Sequence, residues 1–138
     1  MADILNSLCS AVMTHYNSLN NSKKFNGGMW FSSAPQETTG DWVMFNYDGG
    51  SNDEYMGAAD DCIHSADLKF NLFTTVDDGG FTISQMMENL TDSFDWLDMR
   101  MDGFDCIKFQ RTSIGPVLCF DGIWQTTILY EVMFIKGV

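Results

Sequence analysis

The stretch Gly122-Ile123-Trp124-Gln125-Thr126-Thr127-Ile128-Leu129-Tyr130-Glu131-Val132-Met133-Phe134-Ile135-Lys136 lies close to the carboxyl end of the chain. It is rich in β-branched and aromatic residues, and neither Gly nor Pro interrupts it after Gly122, which is typical of a β-strand. A strand of roughly a dozen residues is long against a usual length of about 5–6. With open edges it would invite pairing with other chains. We therefore expect either the rest of the domain or another subunit to cover it.

The two faces of this strand differ in composition. Alternate side chains point to opposite sides of a strand. One face would carry Trp124, Thr126, Ile128, Tyr130, Val132 and Phe134, and the other Gln125, Thr127, Leu129, Glu131, Met133 and Ile135. The second face is more apolar at its end than at its start, so both faces offer packing surface.

Length and composition indicate one soluble domain. The chain has 138 residues, of which 45% are apolar and 14% aromatic, and this composition excludes a disordered protein. The amino terminus lacks the cationic start and apolar run of a secretory peptide, and no apolar run is long enough to span a bilayer. We therefore expect a protein made in a cytoplasm, with its scattered cysteines (Cys9, Cys62, Cys106 and Cys119) as free thiols.

The net charge of −12 is concentrated in the middle of the chain. Fourteen of the 19 acidic residues lie between Asp48 and Asp105, where Lys69 and Arg100 are the only cations besides histidine. No basic patch is available to bind nucleic-acid phosphates, so a DNA-binding function is disfavoured. An acidic field can instead repel DNA, attract a basic partner or collect divalent cations.

The hydrophobic pattern predicts two helices and about five strands. The elements are, in order, a helix over 3–19, strands over 29–33, 41–47 and 67–76, a helix that begins at Thr82, and strands over 104–112 and 123–136. This order, α-β-β-β-α-β-β, predicts an α+β fold in which a mostly antiparallel sheet carries both helices, within a single domain over 1–138. Both faces of the 41–47 strand are largely apolar, so we expect it to be covered on both sides.

The start of the second helix carries the best local signal in the sequence. Thr82 as N-cap with Gln85 three residues later would form a capping box. Phe81 and Met86 are spaced for a hydrophobic staple across that first turn.

The segment 48–66 is polar and acidic and is predicted to be a long loop. Almost twenty residues without clear periodicity is long for a connection in a compact domain, and such loops usually serve a function or become ordered against a partner. A poorly patterned strand could lie near Tyr55 and Met56.

No motif for catalysis, cofactor binding or metal binding is present. The sequence contains no glycine-rich nucleotide loop and no His-Glu-x-x-His. The run Asp60-Asp61-Cys62-Ile63-His64 gathers potential ligands, but a zinc site needs three or four well-spaced ones. Asp53, Glu54, Asp60 and Asp61 lack the order of an EF-hand calcium loop. We therefore expect no enzyme activity, no cofactor and no metal.

The layout and three segments resemble the tail terminator, or tail completion, proteins of long-tailed bacteriophages. The segments are Ile83-Ser84-Gln85-Met86-Met87-Glu88-Asn89-Leu90, Phe104-Asp105-Cys106-Ile107-Lys108-Phe109-Gln110-Arg111 and Gly122-Ile123-Trp124-Gln125-Thr126-Thr127-Ile128-Leu129-Tyr130-Glu131-Val132. The matching features are soft hydrophobic patterns with a Trp-Gln pair before the last strand. The acidic segment 48–66 and the high net charge depart from a typical member.

The resemblance implies a structural role in a virion. Such proteins form a homo-hexameric ring on the finished tail tube, stop its polymerisation and offer the surface to which the head docks. The expected partners are the tail tube protein and a head-completion or neck protein; DNA passes through the lumen without specific binding, and no membrane is involved. Assembly would take place in the host cytoplasm.

Candidate interaction residues come from the acidic segment and the final strand. They are Asp53, Glu54, Asp60, Asp61, Trp124 and Tyr130. We hypothesise that part of 48–66 lines or rims the channel, where negative charge would keep DNA from sticking, or contacts a neighbouring ring. The alternatives are another neck or tail-tube component, an acidic inhibitor that mimics DNA, and a small-molecule-binding or metal-dependent α+β domain.

Overall fold

The computed structural model of the chain describes residues 4–32, 34, 38, 40–50, 54–55, 62–101 and 104–136. The elements are, in order, helix α1 (Ile4–Ser18), a 3₁₀ turn (Asn21–Lys23), strands β1 (Met29–Phe31), β2 (Asp41–Gly50), β3 (Glu54–Tyr55) and β4 (Cys62–Thr74), helix α2 (Phe81–Phe94), and strands β5 (Arg100–Met101), β6 (Phe104–Ile114), β7 (Leu118–Phe120) and β8 (Ile123–Lys136). The predicted α+β class is confirmed. None of the described helices is long and apolar enough to cross a membrane.

One eight-stranded sheet contains every described strand. The strands run in the order β1-β2-β4-β8-β6-β5, with β3 paired to β4 and β7 paired to β8. All pairs are antiparallel except β1 with β2. The sequence predicts about five strands, and the additional ones (β3, β5 and β7) are only two or three residues long.

The long strand β8 lies in the interior of the sheet. It pairs with β4 from Trp124 to Ile135 and, on its other side, with β6 and β7. The sequence left open whether the rest of the domain or another subunit covers this strand. Strands of the same domain pair with its backbone along both edges.

Both helices pack on the same face of the sheet, which we call the inner face. This face of β8 carries Ile128, Tyr130, Val132 and Phe134 at 0% exposure. The facing helices contribute the buried residues Leu8, Val12 and Tyr16 from α1 and Ile83, Met86, Leu90 and Phe94 from α2. The Phe94 ring lies 5.1 Å from that of Phe70 in β4. The core thus forms between the helices and one side of the sheet.

The opposite, outer face of the sheet is only half-buried in the described part of the chain. In β2, Val43 and Phe45 point inward and are fully buried, whereas Trp42, Met44 and Asn46 point outward and remain partly exposed. The prediction that other elements cover both faces of this strand is therefore wrong for the described residues. Its apolar outer residues shield one another instead, as in the stacked Trp42 and Phe73 rings, whose centroids lie 5.3 Å apart.

The N-cap of helix α2 lies two residues before the expected Thr82. Gly80 is its N-cap, with φ of 93°, and Asp78 supplies the capping oxygens. Asp78 Oδ1 accepts the Thr82 backbone N–H at 3.1 Å, and Oδ2 accepts the Thr82 hydroxyl at 2.6 Å. The predicted Thr82–Gln85 capping box is therefore wrong, because the Thr82 N–H, which the Gln85 side chain would accept in that box, donates to Asp78 instead. The staple is wrong as well, since Phe81 is 72% exposed while Met86 is buried.

Replacing Asp78 by alanine is expected to lower the melting temperature by a few degrees, because α2 loses its capping acceptor. The Thr82 hydroxyl and N–H lower the pKa of Asp78, so its contribution is present above the usual carboxyl range and is lost as the pH falls through the lowered value. Thermal melts at pH 7 and pH 3 measure both effects. Asp92→Ala, which removes only an exposed ion pair with Lys23, is the control; equal melting temperatures for the two variants at pH 7 would contradict the assignment.

Strands β6, β7 and β8 form one long hairpin, with β7 continuing the line of β6. The turn between β7 and β8 is Asp121–Gly122, and both residues have positive φ, 52° and 77°, as a two-residue type I′ turn requires. The register shifts between Cys106 and Lys108 and again between Arg111 and Ser113. These bulges interrupt the alternation of side chains along β6, so that Cys106 and Phe109 both pair opposite buried residues of β8.

Part of the acidic segment predicted as a loop is strand. β2 continues to Gly50, β4 already begins at Cys62, and β3 (Glu54–Tyr55) lies where the sequence allows a weak strand. Residues 51–53 and 56–61 lie outside the described residues.

Candidate interaction surfaces

Trp124 joins the β8 terminus to the turn that precedes α2. Its ring is half-buried, and its Nε1–H donates to Asp77 Oδ1 at 3.0 Å. A Cβ built on Gly80 would lie 3.5 Å from the Trp124 ring, so the turn packs directly on the indole. Within the chain, this predicted interaction residue therefore fixes the end of the sheet against the start of α2.

Tyr130 belongs to the core. Its side chain is fully buried, and the rings of Phe109 and Phe70 lie 5.1 Å and 5.6 Å from it. Its hydroxyl donates to Asp95 Oδ1 at 2.5 Å, and Arg111 Nη1 lies 3.6 Å from the other carboxylate oxygen. Burial, and then the hydrogen bond to Asp95, raise the pKa of Tyr130 well above its usual value. The phenol is therefore a neutral donor that ties β8 to the end of α2.

The side chains of the four predicted carboxylates in the acidic segment lie outside the described residues. Asp53, Asp60 and Asp61 lie outside the described residues, and of Glu54 only the backbone, in β3, is described. Their role as interaction residues stays a prediction, as does that of Trp124 and Tyr130. The side chains of Cys62 and His64 are likewise outside the description, whereas Cys106 and Cys119 are free thiols.

An aromatic and aliphatic surface, which sequence reasoning missed, occupies the outer face where β8 begins. Strand register places Trp42, Phe73, Gln125 and Leu118 side by side across four strands. Phe120 pairs with Ile123 two residues further along the same face. We call Trp42, Phe73, Leu118, Phe120 and Ile123 the apolar end patch. Its last three residues are 52%, 73% and 37% exposed, respectively.

A pocket of about 220 Å³ opens within this patch. Its lining residues are Asn71, Phe73, Gly115, Pro116, Leu118, Gln125, Thr126 and Thr127. Asn71 accepts a hydrogen bond from the Thr127 hydroxyl at 2.8 Å, and Thr126 donates to the Gly115 carbonyl at 3.2 Å. The pocket is smaller than the roughly 300–1,000 Å³ of typical small-molecule sites, so it suits a single inserted side chain better than a whole ligand.

A second pocket and one exposed tryptophan lie away from the patch. The pocket, of about 290 Å³, is lined by Ala11, Thr14, His15, Ser18, Asp98 and Met99, and His15 Nε2 lies 2.8 Å from the Ser93 carbonyl oxygen. Trp96 follows α2 with φ of 56°, is 69% exposed, and donates its backbone N–H to the Phe109 carbonyl of β6 at 2.9 Å.

Among the described residues, no three His, Cys, Asp or Glu side chains are grouped to hold a metal.

The comparisons with known proteins report similarity of fold without similarity of sequence. No family model matches the chain, and no curated protein sequence matches it. A chain from a structure described as the virion of a native gene transfer agent particle superposes with a TM-score of 0.74 at 9% identity, covering 99% of this chain and 100% of that one. A second solved structure, which carries no descriptive name, has a TM-score of 0.63 at 13% identity and covers 96% of each chain. The α+β fold of this chain is therefore also that of a chain in a gene transfer agent virion.

Proposed function

We propose that this protein is a structural component of a virion. The observation that carries the proposal is the fold match to a chain of a gene transfer agent virion, which spans 99% of this chain and all of the other. The match therefore includes every element of the fold and is not confined to one motif. The partners of such a subunit are other virion proteins, and it acts by binding and not by catalysis.

Within that class, we propose that the protein is a tail terminator. Its copies would form a hexameric ring on the tail tube, end tube growth and offer the surface to which a head-completion or neck protein docks. The sequence resemblance supports this more specific role, through the Trp-Gln pair at Trp124 and the pattern of β6 and β8. The inner face is already filled by the two helices, so ring contacts would involve the sheet edges, the strand ends or the outer face.

Charge would regulate the assembly. Each protomer carries −12, and six of them in a ring repel one another unless ions screen the field. At 0.1 M ionic strength, salt screens the repulsion between exposed charges that lie more than about 10 Å apart. Charges on opposite sides of such a ring lie further apart than this. The acidic segment 48–66 would lie at the channel or against the neighbouring ring, where it repels DNA during transit.

Light-scattering mass is expected to rise to six times that of the 15.6 kDa chain as salt or Mg²⁺ is added, with six-fold rings in negative-stain images. A variant with Asp53→Asn, Glu54→Gln, Asp60→Asn and Asp61→Asn should form rings at lower salt, because it carries four fewer charges. A monomer under every condition would contradict ring formation and favour an acidic inhibitor. Rings that form equally well in low-salt chelating buffer would contradict the role of charge alone.

A further inference from the structure

We propose that the apolar end patch docks a partner protein through an aromatic or aliphatic side chain that is flanked by lysine or arginine. The proposal rests on this surface alone and does not depend on ring formation. It assigns a binding role to residues outside the acidic segment, at the end of the sheet where β8 begins.

The patch has the residue types of a protein-binding surface. Two of its members, Phe120 and Leu118, are more than half exposed, and the stacked Trp42 and Phe73 rings continue the surface across the sheet. Aromatic residues are enriched in interfaces, where a few of them account for most of the binding energy. Contiguous apolar residues of this kind usually mark an interaction site on a soluble domain.

The patch is also held in a fixed shape. Phe120 and Ile123 flank a two-residue turn whose backbone is set by positive φ at Asp121 and Gly122. The Gly115 N–H donates to the Thr127 carbonyl at 2.7 Å, which holds the segment that lines the pocket against β8. A partner side chain would therefore enter a preformed pocket and lose little free energy to loop ordering.

Charge decides which partner fits. The patch and its pocket contain no ionised side chain, and Lys and Arg are absent from 70–99 and from 112–135. The strand ends and turns at this end of the sheet carry Asp41, Asp77, Asp78 and Asp121. The first three accept hydrogen bonds from Thr74, Trp124 and Thr82 on the helix side, so the exposed Asp121, in the turn between Phe120 and Ile123, is the carboxylate next to the patch. A second copy would bring its own Asp121 and a net charge of −12 against this one, whereas a partner with cations around its apolar anchor would be attracted.

Three peptides with one backbone length can test this chemistry by amide chemical-shift titration. The probe is Lys-Leu-Lys-Phe-Lys-Leu-Lys, and the controls are Glu-Leu-Glu-Phe-Glu-Leu-Glu and Lys-Ser-Lys-Ser-Lys-Ser-Lys. We expect the probe to bind about tenfold more tightly than either control, and to shift amides of Trp42, Phe73 and 115–125.

Variants then locate the site. Phe120→Ser is expected to weaken the probe about tenfold, and Asp121→Asn about two- to threefold, because an exposed charge contributes less than an aromatic anchor. Trp96→Ser removes an equally exposed aromatic on another element and should leave binding unchanged. Thermal melts check that each variant folds, and Leu118→Ser replaces Phe120→Ser if that variant does not.

Three results would overturn the proposal. Equal binding of the two lysine peptides would show a purely electrostatic contact with no apolar anchor. Shifts spread outside the patch, or unchanged binding by Phe120→Ser, would place the site elsewhere. A doubled light-scattering mass that Phe120→Ser abolishes would assign the patch to a second copy of the chain. None of these outcomes depends on whether six-fold rings form.

Discussion

Phe70→Ala is expected to lower the free energy of unfolding by about 3–5 kcal/mol, the cost of removing a fully buried aromatic ring and leaving a cavity. Phe70 lies at the centre of β4 with 0% exposure, and its ring lies within 6 Å of those of Phe45, Phe94 and Tyr130. One side chain thus contacts β2, α2 and β8 at once, so neighbouring groups cannot collapse into the space without moving those elements.

Urea unfolding at pH 7 measures this loss, with Phe120→Ala as the matched control. Phe120 is 73% exposed on the β7 tip, so its truncation should change stability by less than about 0.5 kcal/mol. A loss below about 1.5 kcal/mol for Phe70→Ala, or equal losses for both variants, would show that the helices do not pack on the inner face as described.

Asp95→Ala is expected to cost about 2 kcal/mol, because it leaves the buried Tyr130 hydroxyl without its acceptor. Asp95 is the residue that ends α2, and its backbone N–H donates to the Thr91 carbonyl at 2.8 Å. Its carboxylate also faces Arg111 on the bulged strand β6. The substitution therefore disconnects the end of the helix from two strands.

A double-mutant cycle with Tyr130→Phe separates the hydrogen bond from other effects of the substitution. Tyr130→Phe alone should cost less, about 1 kcal/mol, since Asp95 keeps Arg111 and partial access to water. If Asp95→Ala and Tyr130→Phe act independently, with a coupling energy near zero, the hydrogen bond does not stabilise the fold. Asp92→Ala, three residues earlier in α2, solvent-exposed and paired only with Lys23 among the described ion pairs, controls for lost charge.

The sequence predicted the fold wherever one physical signal was dominant. Period-two alternation in 123–136 predicted the strand and which residues share a face, but not which face is buried; the structure buries the face of Thr126 and Tyr130 and not that of Gln125 and Glu131. The four-residue spacing of Leu8, Val12 and Tyr16 likewise places them on one side of a helix, and all three are buried in α1.

The sequence failed where two signals competed or a signal was short. Asp78 and Thr82 are both good caps, and only the left-handed Gly80 between them determines which oxygen reaches the N–H. Asp121–Gly122 is a strong hairpin turn, and Val117-Leu118-Cys119-Phe120 before it could have revealed β7 and most of the apolar end patch. Trp42 and Phe73 are distant in sequence, so their stacking follows only from strand register.

Of the predicted site residues, Trp124 and Tyr130 could be placed and the four carboxylates could not. Tyr130 alternates with other apolar residues, so its burial was predictable, but its pairing with Asp95 crosses from β8 to the end of α2 and leaves no local pattern. Polar contacts between distant elements depend on how helices sit on a sheet, which hydrophobic periodicity does not determine.

The bulges of β6 make the two arms of the final hairpin unequal in length. Between their outermost pairs, Phe104 with Lys136 and Ile114 with Ile128, β6 uses eleven residues and β8 only nine. An arm with surplus residues must coil and bend away from the plane of the sheet. A straight strand of another molecule could therefore pair with β6 over only a few residues before the two backbones diverge. The geometry of the hairpin thus protects the protein against growth into fibrils, although the side chains at its tip are apolar.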